Sequence, residues 1–280
     1  MSIEPGTLGA HLRYSEVTPR QAVEIKRAGY GALWLTISPP ADLAVAERIL
    51  DATERLVVGT AVVNIWTTQA RTVAASYHRI VAAHPGRFVL GIGAGHREAD
   101  PRYASPYTAM AAYLDELAAA GVPPSGVVLA ALGPRMLRLA RDRAAGTIPV
   151  LVTPEYIRRA REILGAAPLV LPGQMVVLDS DVERARATGR AHAAPPALHV
   201  ANYTANLRRI GFTDADLTEP GSDRLIDALV LHGAPATVAA GIRVALEAGA
   251  NHVGLTVLGD DPIGTLRTIA DAVSRAVPPR

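Results

Sequence analysis

The sequence repeats one junction, in which an amphipathic helix ends at Ala-Gly and an apolar segment starts a few residues later. The pair occurs at Ala28-Gly29, Ala120-Gly121, Ala145-Gly146 and Ala248-Gly249. Glycine suits the left-handed position that closes a helix, so each pair predicts a helix end that leads into a buried strand. The reverse junction, a strand that runs into a proline-opened helix, recurs at Thr18-Pro19, Gly133-Pro134, Thr153-Pro154 and Asp261-Pro262.

Apolar segments alternate with helical segments along the whole chain. We predict strands at residues 6–11, 32–36, 56–63, 87–93, 126–131, 148–153, 174–178 and 252–257. These segments are mostly apolar, as expected for strands that are covered on both faces. Eight β/α units favour a closed (β/α)8 TIM barrel over an open doubly wound sheet. Because no linker or low-complexity segment divides the chain, we predict a single domain over residues 1–280, with extra helices in about 179–229.

Composition narrows the class of protein. The chain is 49% hydrophobic with a formal net charge of only +2, and its arginines form no runs, so nucleic acid is not indicated as a partner. Its apolar runs fall short of the roughly 20 residues that span a bilayer, and its start lacks the features of a secretory signal. The absence of cysteine excludes disulfides and fits a reducing compartment. We therefore predict a cytoplasmic protein without a membrane partner.

In a barrel of this class, functional residues lie on the loops that follow the strands. The fourth predicted strand ends in Gly91-Ile92-Gly93-Ala94-Gly95-His96, where three glycines let a ligand approach the backbone closely. A tight turn would also explain the glycines. His96 is either a donor to a ligand or a solvated loop residue.

Two successive strands run into helices whose first N–H groups would face the barrel mouth. The fifth strand leads into Gly133-Pro134-Arg135-Met136, and the sixth leads into Thr153 and Pro154. Thr153 is a good N-cap, and capping alone would explain it. Two adjacent helix starts together favour a phosphate site. Asn64 and Trp66, at the end of the third strand, could line a pocket there.

Metal binding and hydrolysis find little support in the residue pattern. The eight histidines show no short paired spacing, so we predict no metal site. The candidate acids at strand ends form no distinguishing pattern, and no Gly-x-Ser-x-Gly motif is present.

Several motifs together resemble the bacterial-luciferase-like oxidoreductases, particularly the branch that uses the deazaflavin coenzyme F420. The similarity covers nearly the whole chain, and its motifs include Gly29-Tyr30-Gly31-Ala32-Leu33-Trp34, Gly59-Thr60-Ala61-Val62-Val63-Asn64-Ile65-Trp66, Gly86-Arg87-Phe88-Val89-Leu90-Gly91-Ile92-Gly93 and residues 129–139, 152–155 and 202–212.

This resemblance implies a barrel with a deazaflavin ring at its mouth, a bulge with a cis peptide at about Ala61-Val62, and a cofactor phosphate at Gly133 to Met136. FMN is the alternative cofactor. A small-molecule substrate and a homodimer are also implied. The expected cofactor contacts are Thr36, Ala61, Val62, Asn64, Gly93, Ala94, Gly95, Ala131, Gly133, Pro134, Arg135, Met136 and Thr153.

The chain also departs from the family pattern. Ala94 stands where some members carry an acidic proton donor, and Thr36-Ile37-Ser38 stands where an acid or histidine often follows strand 2. We therefore predict that His96 or His11 handles the proton in hydride transfer between the deazaflavin and a small organic substrate. The alternatives are an FMN-dependent monooxygenase and a non-catalytic cofactor-binding barrel with a degenerate site.

Overall fold

A computed structural model describes residues 4–96 and 105–276. Its strands are β1 (Leu8–Arg13), β2 (Ala32–Thr36), β3 (Val57–Ala61), β4 (Val63–Asn64), β5 (Phe88–Gly93), β6 (Val127–Leu129), β7 (Gly146–Thr147), β8 (Leu169–Val170), β9 (Gly173–Val177), β10 (Val230–His232) and β11 (Val253–Val257). Its helices are α1 (Pro19–Arg27), α2 (Ala44–Asp51), α3 (Ala70–Ala83), α4 (Pro106–Ala119), α5 (Pro134–Arg143), α6 (Pro154–Leu164), α7 (Val182–His199), α8 (Ala201–Arg209), α9 (Asp223–Leu229), α10 (Pro235–Glu247) and α11 (Pro262–Ala276).

The strands pair in parallel and close into a ring. From β1 the pairing runs through β2, β3, β5, β6 and β7 to β8, and in the other direction through β11 to β9. Only residues 171–172 separate β8 from β9, and a bridge joins Val150 to Gly173, so the two ends of the sheet meet. The (β/α)8 barrel predicted from the sequence is confirmed.

The repeated junctions account for much of this order. Pro19, Pro134, Pro154 and Pro262 each open a helix, as predicted. Gly29, Gly121 and Gly249 have φ values of 99°, 83° and 111°, the left-handed conformation expected after a helix. Gly146 differs, because it begins β7 directly.

The strand predicted at 148–153 is wrong. The structure places β7 two residues earlier, at Gly146–Thr147, and only Val150 of the predicted segment makes a strand-like bridge. Pro149 has no N–H for a ladder, and Leu151 has a φ of 54°, so the backbone turns towards α6. The seventh strand is longer than predicted, since β8 and β9 together span residues 169–177. The three-residue β10, which pairs only with β9, was not predicted.

Alternate residues of β2 serve two different cores. Leu33 and Leu35 pack in the shell between the barrel and its helices, whereas Trp34 packs inside the barrel with Val89 and Leu171. A side chain on Gly59 would meet the Trp34 ring at 2.4 Å, so glycine there makes room for the indole. A third core lies among α7, α8 and α9. Among the described helices, none is long and apolar enough to cross a bilayer.

Candidate active site

A cavity of about 690 Å³ lies at the carboxyl ends of the barrel strands. Most of the residues predicted to contact a cofactor line it, and His96 lines it too. The predicted residues in its wall are Ala61, Val62, Asn64, Gly93, Ala94, Gly95, His96, Ala131, Gly133, Pro134, Arg135 and Met136. The others in the described part of the wall are Ile37, Ser38, Pro106, Tyr107, Ala130, Leu132, Ile148, Pro149, Val150, Asn202, Tyr203 and Arg209. Thr36, Thr153 and His11 are not among them.

One wall is the bulge between β3 and β4. The Ala61-Val62 peptide bond is cis, at the position that the resemblance predicted. Thr60 fixes this bulge to β5, because its hydroxyl donates to the carbonyl of Gly91 at 2.7 Å and accepts from the N–H of Gly91 at 2.8 Å. A side chain on Gly93 would meet Val62 at 2.5 Å, so glycine allows the Val62 side chain to lie across the strand end.

Asn64 and Trp66 hold the turn after β5. The backbone N–H of Asn64 donates to the Ser38 hydroxyl at 3.0 Å, and the Asn64 side-chain oxygen accepts from the Trp66 N–H at 2.9 Å. The Trp66 indole donates to the Ala94 carbonyl at 2.6 Å. Asn64 therefore lines the cavity, as predicted, while Trp66 supports the turn that carries His96.

His96 meets helix α8 across the cavity mouth. Its Nδ1 lies 3.2 Å from the side-chain oxygen of Asn202, and its ring packs on Tyr203 with centroids 5.0 Å apart. Since an amide oxygen only accepts, this contact makes Nδ1–H the donor, and no described residue forms a hydrogen bond with Nε2. Burial raises the pKa of Tyr203 to about 12, so its hydroxyl stays protonated at neutral pH.

Sequence reasoning did not identify Asn202, Tyr203 and Arg209 as site residues. All three come from the region predicted to carry extra helices, where residues 202–212 contributed to the family resemblance but were given no role in the site. Asn202 and Arg209 are seven residues apart, which places them on one face of a helix. That spacing was the available signal, but it does not reveal which part of the barrel the face meets.

Helix α5 starts in the cavity wall without a side-chain cap. Its N-cap is Gly133, with φ −83° and ψ 156°, and a side chain added there would meet nothing within 4 Å. Neither backbone conformation nor crowding requires glycine at this position. The guanidinium of Arg135 stacks over the Tyr107 ring at 3.8 Å. The first-turn N–H groups of α5 are therefore available to an anion at the wall.

Helix α6 starts differently. The Thr153 hydroxyl accepts from the Tyr156 N–H at 3.3 Å, and Thr153 is buried. This start is capped within the protein.

His11 lies inside the barrel, not in the cavity wall. Burial, together with the nearby His252, lowers the pKa of His11 to about 3, so its ring is neutral. Its Nε2 is buried and has no hydrogen-bond partner among the described residues. His252 donates from Nδ1 to the Gly6 carbonyl at 2.7 Å and accepts at Nε2 from the Trp34 indole at 2.9 Å. The structure therefore separates the two histidines predicted to handle a proton.

The described part of the cavity wall carries two cations and no acid. It contains Arg135 and Arg209 and neither aspartate nor glutamate. Arg209 donates to the Asn206 side-chain oxygen at 3.2 Å, and no carboxylate of the described residues pairs with either arginine. Within residues 4–96 and 105–276, no cluster of His, Asp and Glu is placed to hold a metal ion.

The family model of the luciferase-like monooxygenases matches residues 5–120. No curated protein matches the sequence. Three solved structures share the fold: two are F420-dependent enzymes, and one is in complex with FMN. An F420-dependent secondary alcohol dehydrogenase with an F420-acetone adduct has a TM-score of 0.73 at 14% identity, covering 98% of this chain and 99% of that one. The coenzyme F420 dependent tetrahydromethanopterin reductase from Methanopyrus kandleri has a TM-score of 0.70 at 16% identity, covering 97% and 99%.

The third structure binds a flavin. It is the oxygenating constituent of 3,6-diketocamphane monooxygenase from Pseudomonas putida in complex with FMN, with a TM-score of 0.70 at 14% identity, covering 97% of this chain and 99% of that one. These neighbours use different cofactors at equally low identity, so they establish the fold and not the cofactor. The family model matches residues 5–120, and the whole chain shares the (β/α)8 fold of these solved structures.

Proposed function

We propose that the protein is an oxidoreductase that binds coenzyme F420 in this cavity and transfers a hydride between it and a small organic substrate. The observation that carries the proposal is the charge of the described cavity wall. Two arginines that pair with no carboxylate of the described residues and an uncapped helix start face the same cavity, and its described wall contains no acid.

The residues of the wall fit the chemical groups of F420. This cofactor has a planar deazaflavin ring, a phosphodiester and a tail of carboxylates. The α5 start at Gly133 would hold the phosphodiester through backbone N–H groups, with Arg135 beside it. Arg209 would pair with a tail carboxylate, and the slot between Val62 and Ala94 would take the ring. When bound, the deazaflavin supplies a donor or acceptor of hydride.

His96 would exchange the accompanying proton. Its Nδ1–H is committed to Asn202, so Nε2 is the atom at which a proton is held for the substrate oxygen. Reduction of a carbonyl then adds a hydride at carbon and a proton at oxygen, and oxidation of an alcohol removes both. Asn202 and Tyr203 orient the ring for this exchange.

An FMN-dependent monooxygenase is the second candidate, because the structural neighbour with FMN has the same fold and the α5 start would hold one phosphate equally well. The two cofactors differ in the number of anionic groups. FMN ends in a single phosphate, which leaves Arg209 without a partner. F420 would supply both a phosphodiester beside Arg135 and a tail carboxylate for Arg209.

A fluorescence titration of the purified protein with F420 and with FMN separates these candidates. We expect F420 to bind at least about tenfold more tightly than FMN, and Arg209→Ala to weaken F420 about tenfold while FMN changes little. Arg138→Ala, an exposed arginine one turn along α5 outside the cavity, is the matched control. Preferential FMN binding would favour the monooxygenase, and no binding of either cofactor would leave a degenerate barrel.

Turnover tests the role of His96. With bound F420 and a panel of secondary alcohols and ketones, His96→Ala should lower kcat by about a hundredfold or more, while F420 affinity stays within a few-fold. An unchanged kcat would remove His96 from the mechanism.

A further inference from the structure

The requirements of folding do not explain why position 37 holds an isoleucine. It follows β2, lines the cavity and is 59% exposed, the most exposed large hydrophobic side chain in the described part of the protein. Val182 and Val244, at 45% and 40%, lie on helices outside the cavity. An exposed isoleucine gains little from burial in the folded state.

The backbone of Ile37 is also in an unfavourable conformation. Its φ is 64°, and that of Ser38 is 49°, so two successive residues other than glycine are left-handed. This region is rarely adopted by β-branched residues, and such outliers cluster where a site needs them. The Ser38 hydroxyl accepts from the Asn64 N–H at 3.0 Å and ties the segment to the bulge. The neighbours of Ile37 therefore hold its side chain at the cavity.

Two ties on either side of Ile37 place it next to the bulge that carries Val62. Thr36 pairs with Ala61, and the Ser38 hydroxyl accepts from the Asn64 N–H. Val62 lies against Gly93, at the strand end where the ring slot is proposed. Ile37 and Val62 thus offer an uncharged apolar surface beside the reacting position, while the cations of the wall lie on α5 and α8.

We propose that Ile37 determines substrate specificity by packing on an apolar group next to the reacting carbon. This inference rests on the proposed oxidoreductase function and narrows its substrate class to small carbonyl compounds or alcohols that carry an aliphatic chain. Binding covers the exposed side chain, and that contact offsets the unfavourable backbone. A longer aliphatic chain then gains affinity until the apolar surface is covered.

A homologous series of 2-ketones, from acetone to 2-octanone, tests this inference. Affinity is measured by saturation-transfer NMR on the protein with and without F420, so the readout does not depend on turnover. For wild type we expect about a threefold gain in affinity for each methylene over the first few members. Ile37→Asn keeps a residue that tolerates the left-handed region, so its Tm stays at or above that of wild type. In Ile37→Asn, the gain in affinity for each methylene should fall below about 1.5-fold.

Two further variants complete the design. Ile37→Val retains an apolar β-branched side chain and should keep most of the gain. Val244→Ala removes an exposed apolar side chain outside the cavity and should leave the gain unchanged. If Ile37→Asn does not fold, Ile37→Ala is read in the same way.

The inference is overturned if the affinity gain for each methylene persists in Ile37→Asn, or if wild type shows no such gain. Failure of both F420 and FMN to bind would refute the proposed function, and the ketone series on the cofactor-free protein would still decide the role of Ile37.

Discussion

Polar groups inside the barrel and polar groups of the cavity at its mouth differ in whether they find partners within the protein. In the interior, the Trp34 indole donates to His252, and His252 donates to the Gly6 carbonyl. At the mouth, Arg135 and Arg209 have no carboxylate partner among the described residues. Trp34 and His252 in the interior are therefore paired within the protein, although Nε2 of His11 is not, whereas the two arginines of the mouth remain available to an anion.

Helices α5 and α6 show the same contrast within one motif. Both follow a barrel strand and both begin with proline. Thr153 caps α6 from within the protein, whereas Gly133 leaves the first N–H groups of α5 without a side-chain partner. Both helices follow a strand and carry a proline in the first turn, and they differ in the N-cap residue. The N-cap residue therefore indicates which helix start can hold an anion.

The largest expected effect is a loss of stability in mild acid, caused by the interior. Burial lowers the pKa of His11 to about 3 and of His252 to about 4, whereas in the unfolded chain both titrate near 6.5. Between these values the unfolded state binds more protons, so stability is complete above about pH 6.5 and falls as the pH drops towards 4 and then 3. We expect a loss of about 4 kcal/mol between pH 7 and pH 5, measured by urea unfolding.

One variant assigns this loss to the buried histidines. His11→Met removes a titrating group that makes no hydrogen bond through Nε2, so the fold should survive at pH 7 and the acid loss should be roughly halved. Between pH 7 and pH 8.5 the two histidines contribute only about 0.3 kcal/mol. Equal stability of wild type at pH 7 and pH 5 would show that the interior is accessible to protons, and the contrast with the mouth would fail.

The second-largest effect is expected from a substitution that caps the start of α5. Gly133→Asp places a carboxylate where a side chain meets no atom within 4 Å, and it would accept first-turn N–H groups of α5. The helix should be as stable as before or slightly more stable. F420 affinity should fall about a hundredfold, because the aspartate occupies the donors and repels the phosphodiester.

Gly133→Ala is the control, since it adds no acceptor and no charge, and its F420 affinity should stay within about threefold. The F420 affinity of both variants is measured by fluorescence titration. An unchanged affinity in Gly133→Asp would mean that the α5 start does not hold the cofactor.

The fold could be predicted because the helix-strand junctions are local features. Glycine after a helix and proline at a helix start follow from backbone sterics, so the sequence alone indicates the order of elements. The sixth strand was misplaced because Pro149 and Leu151 turn the chain within an apolar run. An apolar run by itself does not distinguish a strand from a buried turn.

The site could be predicted only where it follows strand ends. His11 was predicted to handle a proton, and the first strand was predicted over residues 6–11. The strand continues to Arg13, which leaves His11 inside the barrel. The contact of His96 with Asn202 joins residues 106 positions apart, and no local pattern indicates it. The single domain, the homodimer and the cytoplasmic location stay predictions.

The smallest effect tests whether α6 belongs to the interior or to the mouth. Thr153 was predicted to contact the cofactor, yet its hydroxyl caps α6 and it lies outside the cavity wall. Thr153→Ala should cost about 1 kcal/mol of unfolding free energy, measured in urea, and should leave F420 affinity unchanged. Thr18→Ala, which removes the hydroxyl cap of α1 far along the chain from both helix starts, gives the matched cost of a lost cap. If Thr153→Ala weakens F420 binding when Thr18→Ala does not, the α6 start holds part of the cofactor, and the distinction between the two helix starts must be drawn elsewhere.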